Sequence, residues 1–315
     1  MSMRILFICP KYFNYCNVIR DELLKLGHIV DMISYNATGF SLVLLNKIGL
    51  AKKQKSIYYN KYRKLVNKNK YDLLFVIKGD VFSEETWKKI FAERKFKNSV
   101  LYQWDSFSNY NYKNLIKIFD KTFSFDRSDS NRFERLIYLP LFYYGDFCYQ
   151  EQIEYDLLFV GIWHSDRIEI LNKIGEIAEY EGLKVYFKIY YPFLSWLYLR
   201  LKNGKSMQSP YLTFKKISQK HLSRLYRKTK CIIDIANPRQ SGLTMRTIEC
   251  VGANKKLITT NQNIAVEDFY CENIQIVRRD TIENIDLNYI NTKSEYPNRE
   301  KYRLDNWLKS ILPDE

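Results

Sequence analysis

CIIDIANPRQSGLTMRTIECVGANKKLITTN, residues 231–261, is the stretch that decides how this chain folds. Residues 231–236 form a short apolar run closed by Asn237 and Pro238, the profile of a buried strand. Gly242 stands at the exit of a tight loop, Thr244 at a helix N-cap position, and Leu243, Ile248 and Val251 form an apolar helical pattern around it. Residues 256–260 return to strand character. Strand, loop and helix in this order aim loop amides and the positive end of a helix dipole at one point, as α/β proteins do to hold a phosphate. Arg239 and Arg246 flank that point, and Glu249 follows Arg246 by about one turn. Arginines and amides suit a pyrophosphate and a carboxylate suits a ribose diol, so the stretch predicts a nucleotide site. The plain alternative for Arg246 and Glu249 is an i,i+3 ion pair on the helix surface.

The same alternation runs outward in both directions. Strand-like runs stand at 4–10, 28–35, 71–79, 99–105 and 121–126, with helical patterns at 17–26, 42–66 and, behind Ser83, over SEETWKKIF. The pattern pauses around 141–154 and restarts with YDLLFVG at 155–161, a helix at 166–181 and the strand LKVYFKIY at 183–190. A helix at 218–229, the opening stretch, a last strand at 273–279 and an amphipathic helix at 300–312 complete it. Strands separated by helices imply parallel sheets covered on both faces. The expected fold is α/β, with two Rossmann-like doubly wound domains at 1–148 and 149–296 and a tail, 297–315, packing back on the first. Ligands are expected at the carboxyl ends of the strands, in a cleft between the domains.

Composition narrows the partner. The 315 residues carry a net charge of +15, which calls for an anionic ligand or surface. The six cysteines form no CxxC pair, and no HExxH or DxD spacing occurs, so neither a disulfide framework nor a metal site is expected. Met3 leads straight into a strand, and no apolar run is long enough to span a bilayer, so the expectation is a cytoplasmic chain, peripheral on the inner face of a membrane at most.

Two Rossmann-like halves with a nucleotide motif late in the second resemble a GT-B glycosyltransferase. The likeness concentrates in FVGIWHSDR (159–167) and in RQSGLTMRTIECVGANKKLITTN, which is similar to bacterial glycosyltransferases of the CgeB-like and capsule or lipopolysaccharide kind. The resemblance implies a nucleotide-sugar donor and a glycan or lipid-linked acceptor. It implies that Ser241, Gly242, Leu243 and Thr244 meet the donor diphosphate, that Arg246 neutralises it, and that Glu249 accepts from the ribose. Gly161 would let backbone approach the ligand, and Arg167 would add charge. Many retaining enzymes of this class carry two glutamates eight positions apart; Glu249 matches the second, but Ser241 occupies the place of the first, which turns the expectation towards inversion.

An inverting transfer needs a general base and a stabiliser for the leaving diphosphate. Without a DxD the stabiliser would be Arg246, loop amides and a helix dipole, with no metal or other cofactor. Asp105, ending LYQWD, is the favoured base; Asp80 and His164 are the other candidates, and the two acids have a plainer reading as helix N-caps. Between Gly182 and Ile233 there is no Asp or Glu but twelve Lys or Arg and ten aromatics, and YYPFLSWLYLRLKNGK (190–205) interrupts the Rossmann pattern. That composition offers a face to an anionic membrane; a core helix beside a solvated basic face is the alternative. Two other functions stay open. A nucleotide-sugar 2-epimerase of the same fold would need more acids and histidines than three His residues suggest. A nucleic-acid-binding protein would explain the charge, but not Glu249 behind the phosphate loop, and no RNP, KH or HTH signature occurs.

Overall fold

The computed structural model describes residues 2–11, 14–36, 50–147, 151–203, 209–238, 240–292 and 295–313. Cys148, the 42–49 part of a predicted helix and the expected domain boundary at 148/149 lie outside them. The chain divides into two compact units, one made of Met1–Pro140 with Leu304–Glu315 and the other of Leu141–Arg303.

Unit 1 holds β1 (Arg4–Pro10), β2 (Ile29–Tyr35), β3 (Tyr71–Ile77), β4 (Phe96–Gln103), β5 (Lys121–Ser124) and β6 (Leu136–Tyr138) in one sheet ordered β2-β1-β3-β4-β5-β6. Every neighbouring pair is parallel. Its central strands β1 and β3 are largely apolar and buried, as strands covered on both faces must be; Ile5 to Cys9 of β1 are all fully buried. Among the described residues its α-helices are α1 (Tyr15–Lys25), α2 (Leu50–Lys68), α3 (Glu84–Glu93), α4 (Lys113–Ile118) and α5 (Arg127–Arg132). Ser83 caps α3 by accepting from the Thr86 amide at 3.3 Å, with Glu84 and Glu85 on the first turn where the dipole favours acid. The chain's last helix, Leu304–Ile311, belongs to this unit. It is pinned by Trp307, whose ring lies 4.8 Å from Tyr102 and whose indole N–H donates to Pro140 O at 2.9 Å.

Unit 2 holds β7 (Tyr155–Ile162), α6 (Arg167–Tyr180), β8 (Val185–Tyr190), α7 (Phe193–Asn203), β9 (Leu212–Thr213), α8 (Gln219–Arg227), β10 (Thr229–Asp234), α9 (Met245–Gly252), β11 (Lys256–Thr259) and β12 (Ile274–Ile276). Its sheet runs β12-β11-β10-β7-β8-β9, again parallel throughout. Counting these strands from one as they come along the chain gives 3-2-1-4-5-6, the Rossmann order. Its switch point lies between β7 and β10, which pair with each other while their crossovers depart in opposite directions. Such a point leaves a crevice at the carboxyl ends of the two central strands. The structure therefore has the expected α/β class with two Rossmann-like sheets.

Candidate functional site at the carboxyl edge of unit 2

The crevice is organised by Asp234, the one acid inside the apolar run 231–236. Asp234 ends β10 and is fully buried. Its carboxylate accepts from Arg246 Nη1 at 2.6 Å, Thr244 Oγ1 at 3.1 Å, Thr247 Oγ1 at 2.9 Å and Thr259 Oγ1 at 3.3 Å. A buried charge survives only when paired and hydrogen-bonded, and here one cation and three hydroxyls meet that need. Thr244 is the N-cap of α9, accepting from the Thr247 amide at 3.3 Å, so Asp234 also fixes where the helix begins.

Arg246 spans the switch point. While Nη1 holds Asp234, Nη2 donates to Val160 O of β7 at 2.7 Å, and the guanidinium stacks 4.7 Å over the Phe159 ring. Arg167, the first residue of α6, stacks on the same ring at 5.2 Å and donates to Ile162 O and Ile235 O, tying the ends of the two central strands together. Gly161 makes room for both: a Cβ there would lie 2.7 Å from Arg246 Nη2 and 3.1 Å from Arg167 Nη1. Its lack of a side chain thus seats two guanidiniums. Arg246 and Glu249 are no surface pair, since Arg246 pairs with Asp234 and Glu249 is 2% exposed.

A third arginine arrives from beyond β12. Arg279 bonds Asp166 and Ala236 O and approaches Thr260 Oγ1 at 3.3 Å. With Arg278 it lines a cavity of about 470 Å³ at the ends of β10, β11 and β12. The rest of the lining is rich in amides: Asn237, Gln240, Asn261, Gln262 and Asn263. Asn261 and Asn263 hold the loop in shape by donating to Gly242 O at 3.2 Å and Ser241 O at 3.0 Å. Such a lining can recognise the donors and acceptors of a heterocyclic base, while the arginines match phosphate oxygens. From sequence alone Arg278 and Arg279 stand at the end of the strand expected at 273–279, and a paired cation at a strand's carboxyl end is the signal they offer.

The other predicted site residues take these places. Ser241 lines the cavity. Leu243 is 3% exposed and joins the core, with Thr244 in the cap and Gly242 in the loop between. Glu249 does not line the cavity; burial first, then the Glu249 charge, holds the Tyr226 phenol well above its usual pKa. Arg239 lies outside the described residues. Asp105 sits in unit 1, two residues past the end of β4, not within it as expected. There the buried Lys78 ammonium bridges Asp105 at 3.1 Å and Asp80 at 3.2 Å. Asp80 also accepts from Tyr35 OH at 2.6 Å, so the cap of the helix behind it is Ser83, not Asp80. Lys78 and Gly79 both have positive φ, 68° and 79°, a costly conformation for the lysine that its packing must maintain. Asp80 lines a second cavity, about 340 Å³, with Glu84, Tyr110, Asn111 and Asn114. Among the described residues no set of three His, Cys, Asp or Glu gathers to hold a metal.

His164 reports the field at the unit 2 edge. Burial, then the charges of Arg167, Arg246 and Arg279, push its pKa from 6.5 down to about 4. The imidazole is therefore neutral at pH 7. The unfolded chain takes up this proton first, so the stability tied to it is complete above about pH 6.5 and is lost as the pH falls towards 4. An NMR titration of the three histidines is expected to place the His164 midpoint near 4. Saturating pyrophosphate should raise that midpoint, because a bound anion offsets the arginines. A midpoint at 6.5 that ignores the anion would show that no such field exists.

A scan of protein-family models and a search of curated proteins each returned no match. Among solved structures the chain is similar over its whole length to UDP-GlcNAc 2-epimerase from Methanocaldococcus jannaschii, at 11% identity and a TM-score of 0.57, covering 98% of this chain and 99% of that one. The epimerase from Neisseria meningitidis, bound to UDP-GlcNAc, gives 9% identity and 0.56, covering 98% of each. The catalytic domain of starch synthase IV from Arabidopsis thaliana, bound to ADP and acarbose, gives 8% and 0.56, covering 99% of this chain and 96% of that one. Likeness at such identity speaks for architecture. Together with the two parallel sheets, it defines a GT-B fold.

Proposed function

We propose that the chain is a nucleotide-sugar-dependent glycosyltransferase. In this reading it moves a sugar to a glycan or lipid-linked acceptor in bacterial surface-polysaccharide assembly, capsule or lipopolysaccharide. It would work in the cytoplasm or on the inner face of the cytoplasmic membrane. The observation that carries the reading is the edge of unit 2, where Arg279 and Arg278 line an amide-rich cavity and Arg167 and Arg246 stand at the switch point beside it. The nucleoside would occupy the cavity, and its diphosphate would lie towards the 241–244 loop and the start of α9. The surface-polysaccharide role is supported by the resemblance of residues 239–261 to enzymes of that kind.

In the transfer an acceptor hydroxyl attacks the anomeric carbon, the bond from that carbon to the diphosphate oxygen breaks, and the hydroxyl proton passes to a base. Asp105, at 28% side-chain exposure, is more open to an acceptor than Asp80 at 5%. Inversion follows from a single displacement. The leaving diphosphate gains charge as the bond breaks, and preorganised arginines and amides favour that state over the ground state. The proposal needs no resident metal, because guanidinium groups supply the positive charge.

A second reading, a nucleotide-sugar 2-epimerase, is favoured by the full-length likeness to two such enzymes. One sequence of assays separates the two. A thermal-shift panel of UDP, GDP, CDP and TDP is expected to single out one nucleotide, which at a hundred times its Kd should add about 2.7 kcal/mol. The matching nucleotide sugars then report the reaction: release of the nucleoside diphosphate only with an acceptor present marks a transferase, and a change at sugar C2 without acceptor marks an epimerase. If none of the four nucleotides stabilises the protein, both readings fail, and binding of a polynucleotide in their place would support the nucleic-acid alternative.

A further inference from the structure

We propose that the outward face of α7 in unit 2 docks on a membrane surface carrying anionic phospholipid. The helix is oriented the wrong way for a water-soluble surface. Phe193, Leu194, Leu197, Tyr198 and Leu201 are all exposed, Leu194 and Leu201 at 78%. At about 100° per residue these five positions fall on one arc of about 140°. Ser195, Trp196 and Leu199, on the opposite arc, are the partly buried ones. Five large apolar side chains on one helix face form a contiguous patch, and such patches mark surfaces that meet something other than water. The helix is held in that orientation by Trp196, which packs 5.4 Å from Phe214, while Phe193, at the edge of the exposed arc, stacks on Trp196 at 5.9 Å.

The surroundings select the partner. Arg200 lies over the Trp196 ring at 5.2 Å, Lys216 lies over Tyr190 at 5.5 Å, and Lys215 is exposed beside it. No Asp or Glu occurs between Gly182 and Ile233. Apolar side chains that enter the acyl boundary, with cations and aromatic rings at headgroup level, are what an anionic interface accepts. A second copy of the chain would set one acid-free basic span against another. Nucleic acid would find leucines where it needs hydrogen-bond donors or flat rings to stack on. No helix among the described residues is long and apolar enough to cross a bilayer, so the contact is with its surface. This inference does not depend on what the unit 2 cavity binds, and the nucleotide panel above stands or falls separately.

The test is flotation of the full chain with vesicles of phosphatidylcholine alone and of phosphatidylcholine with phosphatidylglycerol. The protein is expected to float with the anionic vesicles, less so with neutral ones, and less as salt rises. The pair Leu194→Glu and Leu201→Glu should lower the partition at least about tenfold, since two leucines that would enter the acyl boundary are lost and two negative charges are set against anionic lipid. Both side chains are largely in water, so the melting temperature should not move. Lys215→Glu with Lys216→Glu should remove the preference for anionic vesicles while leaving the neutral partition. The proposal is overturned if the wild type does not float, or if the leucine variant floats equally well. It is equally overturned if light scattering shows a wild-type dimer that the leucine variant dissolves.

Discussion

Asp234→Ala is expected to destabilise unit 2 by about 3–5 kcal/mol, the cost of leaving one member of a buried ion pair alone. The carboxylate is fully buried and its partner Arg246 is 14% exposed, so water replaces little of what is removed. Thr244, Thr247 and Thr259 lose their acceptor in the same step. At about 2–4 °C per kcal/mol for a unit of this size, the melting temperature should fall by about 10 °C. The measurement is urea unfolding with a separate transition fitted for each unit. Asp234→Asn keeps an acceptor and should cost less. Asp234→Leu combined with Arg246→Met removes both charges and should recover a large part of the loss, because the penalty lies in the uncompensated charge. A loss below about 1 kcal/mol for Asp234→Ala would mean that the carboxylate does not hold the crevice together.

Arg279→Ala should weaken the stabilising nucleoside diphosphate by about 10- to 100-fold, the equivalent of one charge-assisted fork to a phosphate. Isothermal titration against the nucleotide selected by the panel measures it. Arg279→Lys keeps the charge but loses the planar fork, so its affinity should fall between the two. The effect on stability should be small by comparison. The Arg279–Asp166 pair is exposed at 25% and 42%, and pairs that open to water contribute at most about 1 kcal/mol. Unchanged affinity in Arg279→Ala would move the phosphate away from this edge, even if the nucleotide still binds the cavity.

Much of this architecture is legible in the sequence because parallel strands buried on both faces must be apolar without interruption. RILFICP, YDLLFVI and YDLLFVGI announce β1, β3 and β7 on that ground, and Ser83 and Thr244 mark helix starts through their capping oxygens. The edge strands β6 and β9, three and two residues long, are invisible to the same reading. β12 is as short as β6 but lies in the strand-like run 273–279 and is legible, whereas β6 and β9 have no such run around them and are strands only because a neighbour supplies the other half of the ladder. Residues 190–205 stood out by composition, but only the structure shows that the apolar side of α7 faces outward.

The site divides along the same line. The sequence by itself determined that a strand, a glycine-bearing loop and a capped helix stand in a row at 231–261, because those properties are local: apolar runs, backbone freedom and capping. It also placed two such alternating series in one basic chain. Only the tertiary structure decided which charges meet. Asp234 and Arg246 pair across twelve positions, Arg246 reaches back 86 residues to Val160 O, and Arg279 comes within bonding distance of Asp166 across 113. Those meetings follow from strand order: β10 lies beside β7 in the sheet, although β8 and β9 come between them in the chain. No local pattern encodes that adjacency, since it results from how two crossovers pack on a sheet. The same packing puts Gly161 under two guanidiniums and leaves His164 neutral in their field.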